Sequence, residues 1–108
     1  MQTTEIENSL VIDVHQLKKA ALVLRAVNHK LRQEIMQLLH ANQRMAVTAV
    51  YIKLRLEQSV ASQHLAILRK AGFVTTQREG KQIFYSVNYD RLNHVTEQAK
   101  TLIEMNKV

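Results

Sequence analysis

The sequence contains no cysteine, no proline and no tryptophan, and only two glycines in 108 residues. Without cysteine there is no disulfide, thiolate metal site, thiol redox sensor or cysteine nucleophile. The lack of proline and scarcity of glycine favour long helices joined by few turns. Aromatic residues make up 5% of the chain, too few for a sugar-binding or base-stacking platform. Long apolar runs are missing too: no stretch approaches the ~18 uncharged apolar residues of a membrane span. The N-terminus, MQTTEIENSLVIDV, carries acids where a signal peptide has a basic start and an apolar stretch, so the expected location is the cytoplasm. There is no visible internal repeat or low-complexity run.

Apolar residues are 46% of the chain and charged residues 22%, which is enough to bury a core. The length fits one domain over residues 1–108, with residues 1–9 as a loose polar arm. Fifteen Lys and Arg against nine Asp and Glu give a net charge of +6, and such an excess points to a polyanionic partner. The excess is concentrated. Residues 44–81 hold seven cations, Arg44, Lys53, Arg55, Arg69, Lys70, Arg78 and Lys81, against Glu57 and Glu79, a net +5. The other 70 residues carry the remaining +1. A solvated surface without a partner mixes its signs throughout.

Apolar spacing predicts a first helix from about Asp13, its N-cap, with Val14, Leu17, Ala20, Ala21, Leu24 and Val27 recurring at helical intervals. Asn28 and His29 interrupt it. A second helix carries Leu31, Ile35, Leu38 and Leu39, and Ala41–Arg44 reads as a polar connection. A short third helix holds Ala46, Val47, Val50 and Leu54, followed by a turn at Arg55–Glu57. The fourth helix runs from about Gln58 to Ala71, with Ala61, Leu65 and Leu68 as its buried stripe. Ser59, Ser62, Gln63 and Ala66 point outward at i, i+3, i+4 and i+7, and Gly72 stands where a helix-ending glycine belongs. The period then changes to 2. FVTTQR (73–78) and QIFYSV (82–87) are strands joined through Arg78–Lys81, and a last helix runs from Tyr89 to about Met105.

The order α-α-α-α-β-β-α, mostly helical with a small β hairpin, describes a winged helix-turn-helix. In that arrangement the fourth helix enters a DNA major groove, which admits one α-helix. Its outward amide and hydroxyl side chains, above all Gln63, suit base edges, and its end carries Arg69 and Lys70. Arg78 and Lys81 flank the hairpin's glycine turn and suit phosphates or a minor groove.

The segment SVASQHLAILRKAGFV (59–74) resembles the recognition helix of the ArsR/SmtB family of bacterial repressors, which commonly reads S-x-V-S-x-H-L-x-x-L-x-x-A-G-L-V. The wing REGKQIFYSV resembles the family's R-x-G-[RK]-x-[VI]-x-Y-x-[LV], and NHKLRQEIMQLL its helix with an Asn/His-Pro-x-Arg start. The resemblance covers about residues 17–103. It implies a homodimer built on the first and last helices that represses transcription and leaves DNA when an effector binds. It assigns DNA contact to Gln58, Ser59, Ser62, Gln63 and His64, and wing contact to Arg78 and Lys81. Leu17, Leu24, Leu92, Val95, Leu102 and Ile103, apolar residues of the two terminal helices, are the expected dimer interface. Three positions depart from the pattern: Lys30 replaces proline, Arg55 replaces the glycine of the turn, and Glu57 replaces a serine N-cap.

The family's metal positions are not filled. Ungapped alignment puts Ala46 and Ala49 on its third-helix site and Tyr89, Arg91, Leu102 and Met105 on its last-helix site, none a zinc, nickel or cobalt ligand. No metal and no cofactor are therefore expected. The expected partner is a double-stranded DNA operator, without a membrane. Two other readings stand beside this one. A winged helix can serve as a protein-binding module, and a metal sensor could use a non-standard site around His15 and His94 with Asp13 or Glu97. Catalysis has no support: the acids are scattered and there is no Gly-rich phosphate loop.

Overall fold

The computed structural model describes residues 9–106. They form α1 (Val14–Val27), α2 (Lys30–Asn42), β1 (Met45–Ala46), α3 (Val47–Leu54), α4 (Gln58–Lys70), β2 (Val74–Glu79), β3 (Gln82–Val87) and α5 (Tyr89–Asn106). Residues 1–8 of the expected arm lie outside the described residues. The helices and the hairpin fall in the expected order, with one addition. Met45 pairs with Tyr85 and Ala46 with Phe84, so the sheet has three antiparallel strands in the order β1-β3-β2. Ala46 therefore belongs to a strand and not to the third helix, and Ala41 and Asn42 complete α2 and do not form a connection. Two residues are too few for a period-2 pattern, and their pairing is set by a strand about 40 residues away in sequence, which periodicity cannot report.

The core joins Ile35 and Leu39 of α2, Val50 of α3, Leu65 and Leu68 of α4, and Phe73, all without solvent exposure, to Val74 and Val87 of the sheet. The expected inner stripe of α4, Ala61, Leu65 and Leu68, is wholly buried. The terminal helices are attached by less. Only Ala26 of α1 is buried, with Val23 and Val27 partly so. Leu17 is 60% exposed, Leu24 37%, Leu102 62% and Ile103 52%. Val95 corrects the expected interface list. It lies in the protomer's own core and Leu92 packs partly against it, so this part of α5 anchors the helix to the domain. The period of an amphipathic helix shows which residues share a stripe, not which of two apolar surfaces the stripe meets.

The α3–α4 turn shows how the arginine at position 55 is accommodated. The Leu56 amide donates to Tyr51 O at 2.9 Å and the Arg55 amide to Ile52 O at 3.2 Å. This wraps the end of α3 in the double bond pattern that glycine usually closes. Arg55 takes φ 57° and ψ 46°, a left-handed conformation, which costs an L-residue about 1–2 kcal/mol. Glycine loses more freedom on folding by about 0.5–1 kcal/mol, so the two effects partly cancel. Arg55→Gly is expected to raise stability by up to about 1 kcal/mol, read as a higher denaturant midpoint. A lower midpoint would mean that the arginine side chain holds the turn by contacts of its own.

Candidate nucleic-acid interface

Gln58, Ser59, Ser62, Gln63, Ala66, Arg69 and Lys70 are all exposed on α4, around the helix from its buried stripe. The helix begins at Glu57, whose side chain makes no capping bond. The first amides of α4 therefore lack a side-chain acceptor, and the positive end of the helix dipole is left for an external anion. The structure thus brings together an uncapped helix start, a hydroxyl and amide face, and a basic last turn.

His64 is placed differently from its neighbours. It is half-buried, and its Nδ1 lies 3.2 Å from Nη1 of Arg32. The His29 ring stands 5.0 Å away, centroid to centroid. Arg32 is 7% exposed. Its Nε donates to Ala26 O at 2.6 Å and its Nη2 to Arg25 O at 3.0 Å. Gln33 donates to Val27 O and the Asn28 amide to Leu24 O, so the last four carbonyls of α1 all have donors. His29 caps α2, its Nδ1 accepting from the amides of Leu31 and Arg32 at 3.2 and 3.4 Å. Periodicity marks Asn28 and His29 as an interruption and the resemblance places them at the start of the second helix, but neither gives Arg32 a role. The signal was the Arg of NHKLR, four residues after a helix break, where a long donor can reach back to orphan carbonyls.

Burial first, then the Arg32 guanidinium and His29, hold the His64 imidazole below the ordinary histidine range. The neutral ring is thus favoured in the folded state. As pH falls below about 6.5, the ordinary histidine value, the unfolded chain takes up a proton that the folded chain refuses. Stability contributed here is complete above that pH and is lost on acidification. Melting curves should be insensitive to this group between pH 7 and 8 and should shift down towards pH 5.5. His64→Gln, which keeps an acceptor for Arg32, should flatten that shift. An unchanged pH profile in His64→Gln would place the titration elsewhere.

The far end of α4 is fixed by α5. Gly72, at φ 89°, closes the helix, with Phe73 N donating to Leu68 O and Gly72 N to Arg69 O. Asn88 donates through Nδ2 to Gly72 O at 3.0 Å and accepts from the Arg91 amide at 3.2 Å. Arg91 Nε donates to Ala71 O at 3.0 Å. A Cβ on residue 72 would meet this Nε at 3.2 Å. Arg91, at a position where the family's metal site lies, is thus a structural donor here.

In the wing, Glu79 pairs with Gln82, leaving Gly80 and Lys81 as a two-residue loop. Gly80 has φ 63°, as the first position of a type II′ turn requires. Arg78 Nε donates to Gly80 O at 3.2 Å, and Lys81 is exposed. Arg44, counted with the basic segment, forms a two-pronged ion pair with Glu79 at 2.6 and 2.9 Å and lies over the Phe84 ring at 4.2 Å. Hydrogen bonding to Arg44 holds the Glu79 carboxyl below its usual range. Arg44 is thereby taken up in fixing the wing to the strand before α3. His15 and His94 are exposed on α1 and α5, and among the described residues no group of three or more His, Asp or Glu could hold a metal. Among the described residues no helix is long and apolar enough to cross a membrane.

Comparison with known proteins agrees with this geometry. A helix-turn-helix domain model matches residues 28–77. The transcriptional activator HlyU of Vibrio cholerae is 33% identical over 81% of this chain and 73% of its own length. The repressor SmtB of Mycobacterium tuberculosis is 35% identical over 77% of this chain and 61% of its own. A homodimeric winged helix-turn-helix DNA-binding domain from Mycobacterium bovis, a possible ArsR-family regulator, shares the fold with a TM-score of 0.66 at 23% identity, covering 95% of this chain and 96% of that one. The chain belongs to the winged helix-turn-helix transcriptional regulators of ArsR/SmtB type.

Proposed function

We propose that this regulator is a non-enzymatic, cytoplasmic repressor that binds a two-fold operator as a homodimer, with residues 1–108 acting as one DNA-binding domain. The observation that carries the reading is the exposed polar face of α4 next to the basic wing, on a helix held at both ends. Ser62 and Gln63 read base edges; Gln58 and Ser59 meet phosphates at the helix start; Arg69, Arg78 and Lys81 add phosphate contacts. His64 acts through its packing against Arg32 and faces DNA only by its outer edge. Dimerisation covers Leu17 and Leu24 of α1 and Leu102 and Ile103 of α5, whose exposure on a single protomer supports it. The relatives' names include both an activator and a repressor. Repression is the simpler act for this geometry, because a bound dimer excludes other proteins from the same grooves.

The wing tests the reading. Lys81 and Arg78 sit at the loop tip, where they reach phosphates or a narrow minor groove and carry little sequence information. Replacing both with alanine should weaken operator and random DNA alike. It should flatten the slope of log K against log salt by about one to two units per half-site. Fluorescence anisotropy across a salt series measures both. An unchanged slope would put the wing off the DNA and favour a protein-binding role.

A further inference from the structure

A groove of about 570 Å³ opens between α1 and the C-terminal half of α4, within the ~300–1,000 Å³ of small-molecule sites. Leu22, Val23 and Ala26 of α1 form one wall and Ile67 and Ala71 the other. Leu22 is 60% exposed and Ile67 41%, so each wall presents a large apolar side chain to solvent. The polar groups on this lining are Lys19 and Lys70, and no acid lines it. The depression between α2 and α3 differs, since Lys30 and Glu34 both line it. Neither Lys19 nor Lys70 has an ion-pair partner among the described residues. Helical spacing also separates the groove from the proposed dimer face: Leu22 lies on the opposite flank of α1 from Leu17 and Leu24.

An apolar cleft with cations only at its rim is complementary to one kind of small molecule, an apolar body carrying an anionic head. We propose that the α1–α4 groove is an effector site for an amphipathic organic carboxylate. Its body lies against Leu22, Val23, Ile67 and Ala71, and its carboxylate pairs with Lys19 and Lys70. The reading-out of this ligand rests on the DNA-binding role of α4. Lys70 lies on the exposed side of that helix's last turn, in the segment that holds nearly all the excess positive charge. A carboxylate paired with Lys70 removes a cation that would otherwise attract phosphate. A body wedged at Ile67 and Ala71 bears on the helix that Arg32 and Arg91 hold in place. Both effects lower DNA affinity, and by linkage DNA lowers ligand affinity by the same factor.

The probe is decanoate, kept below its micelle concentration, titrated into the full-length protein by calorimetry without DNA. Decanol and decyltrimethylammonium share its chain and differ in head group. Decanoate should bind once per protomer, at least tenfold more tightly than either. Leu22→Glu places a carboxylate in the groove at an exposed position, and Lys19→Gln removes one cation. Both should keep native circular dichroism, and Leu22→Glu should weaken decanoate at least tenfold. Saturating decanoate should then weaken wild-type binding to DNA several-fold and leave Leu22→Glu unaffected. Equal binding of the three probes, or decanoate binding undiminished by Leu22→Glu, would overturn the site. Tight, Leu22-dependent decanoate binding to a protein that fails to bind DNA would keep the site and reject the proposed function.

Discussion

Gln63→Ala is expected to cost about 2–6 kcal/mol of operator affinity, while leaving random DNA almost unaffected. A glutamine that pairs with adenine through both amide atoms contributes roughly 1–3 kcal/mol of discrimination, and in a two-fold dimer the loss is counted once per half-site. Gln63 is suited to this role by position. It lies one turn into α4, is exposed, and is followed two residues on by the buried Leu65 that fixes the helix against the core. Side chains at that depth meet base edges, while those at the helix start meet phosphates. The fold should survive, because alanine is the best helix former and the site is exposed. The measurement is a pair of anisotropy titrations, one on a site selected from a random pool and one on unrelated DNA. A specific-to-random ratio that does not change, in a variant with native circular dichroism, would show that this face does not read bases.

The parts of this fold legible in the sequence are those governed by short-range periodicity. The stripe Ala61, Leu65 and Leu68, the glycine at the end of α4 and the hairpin through Gly80 each announce themselves within about a turn of chain. Arg55 was legible as an anomaly, a bulky residue where a left-handed turn is needed, and the structure places it in that conformation. What periodicity could not show is how polar side chains are shared between distant elements. Arg32 reaches carbonyls six and seven residues back and a histidine 32 residues ahead. Arg44 crosses to the wing to meet Glu79, and Arg91 caps a helix 20 residues away. Counting charge along the chain treated all three as interchangeable cations. Their local sequence is that of any solvated arginine; only the third dimension gives them acceptors. For the same reason Val95 could be recognised as apolar but not assigned to the protomer core.

Arg32→Met should therefore be the most destabilising single change among the polar residues, at about 2–4 kcal/mol. Methionine keeps much of the length of the side chain and its apolar stem, so the cavity left is small. What disappears is the set of donors to Ala26 O, Arg25 O and His64 Nδ1. Each buried acceptor left unpaired costs about 1–3 kcal/mol. The Arg25 contact is only partly buried, so water can replace some of it. Removing a buried guanidinium also relieves its own desolvation, which offsets another part. Against the 5–15 kcal/mol typical of a native domain, the remainder is a large fraction. It should lower the melting temperature by roughly 4–8 °C per kcal/mol, measured at one fixed protein concentration so that self-association does not change apparent stability between samples. Arg32→Lys should recover little, since one ammonium cannot satisfy three acceptors aligned to a planar fork. The loss has a second readout that a merely structural residue elsewhere in the core would not give. Arg32 is the link between the end of α1 and His64 on α4, so hydrogen exchange should rise first in the amides of α4 around His64 and in the last turn of α1, ahead of the sheet. If Arg32→Met melts with the wild type, or if protection falls evenly across all elements, the guanidinium does not tie these two helices together. The placement of α4 would then rest on Ala61, Leu65, Leu68 and the Arg91 cap.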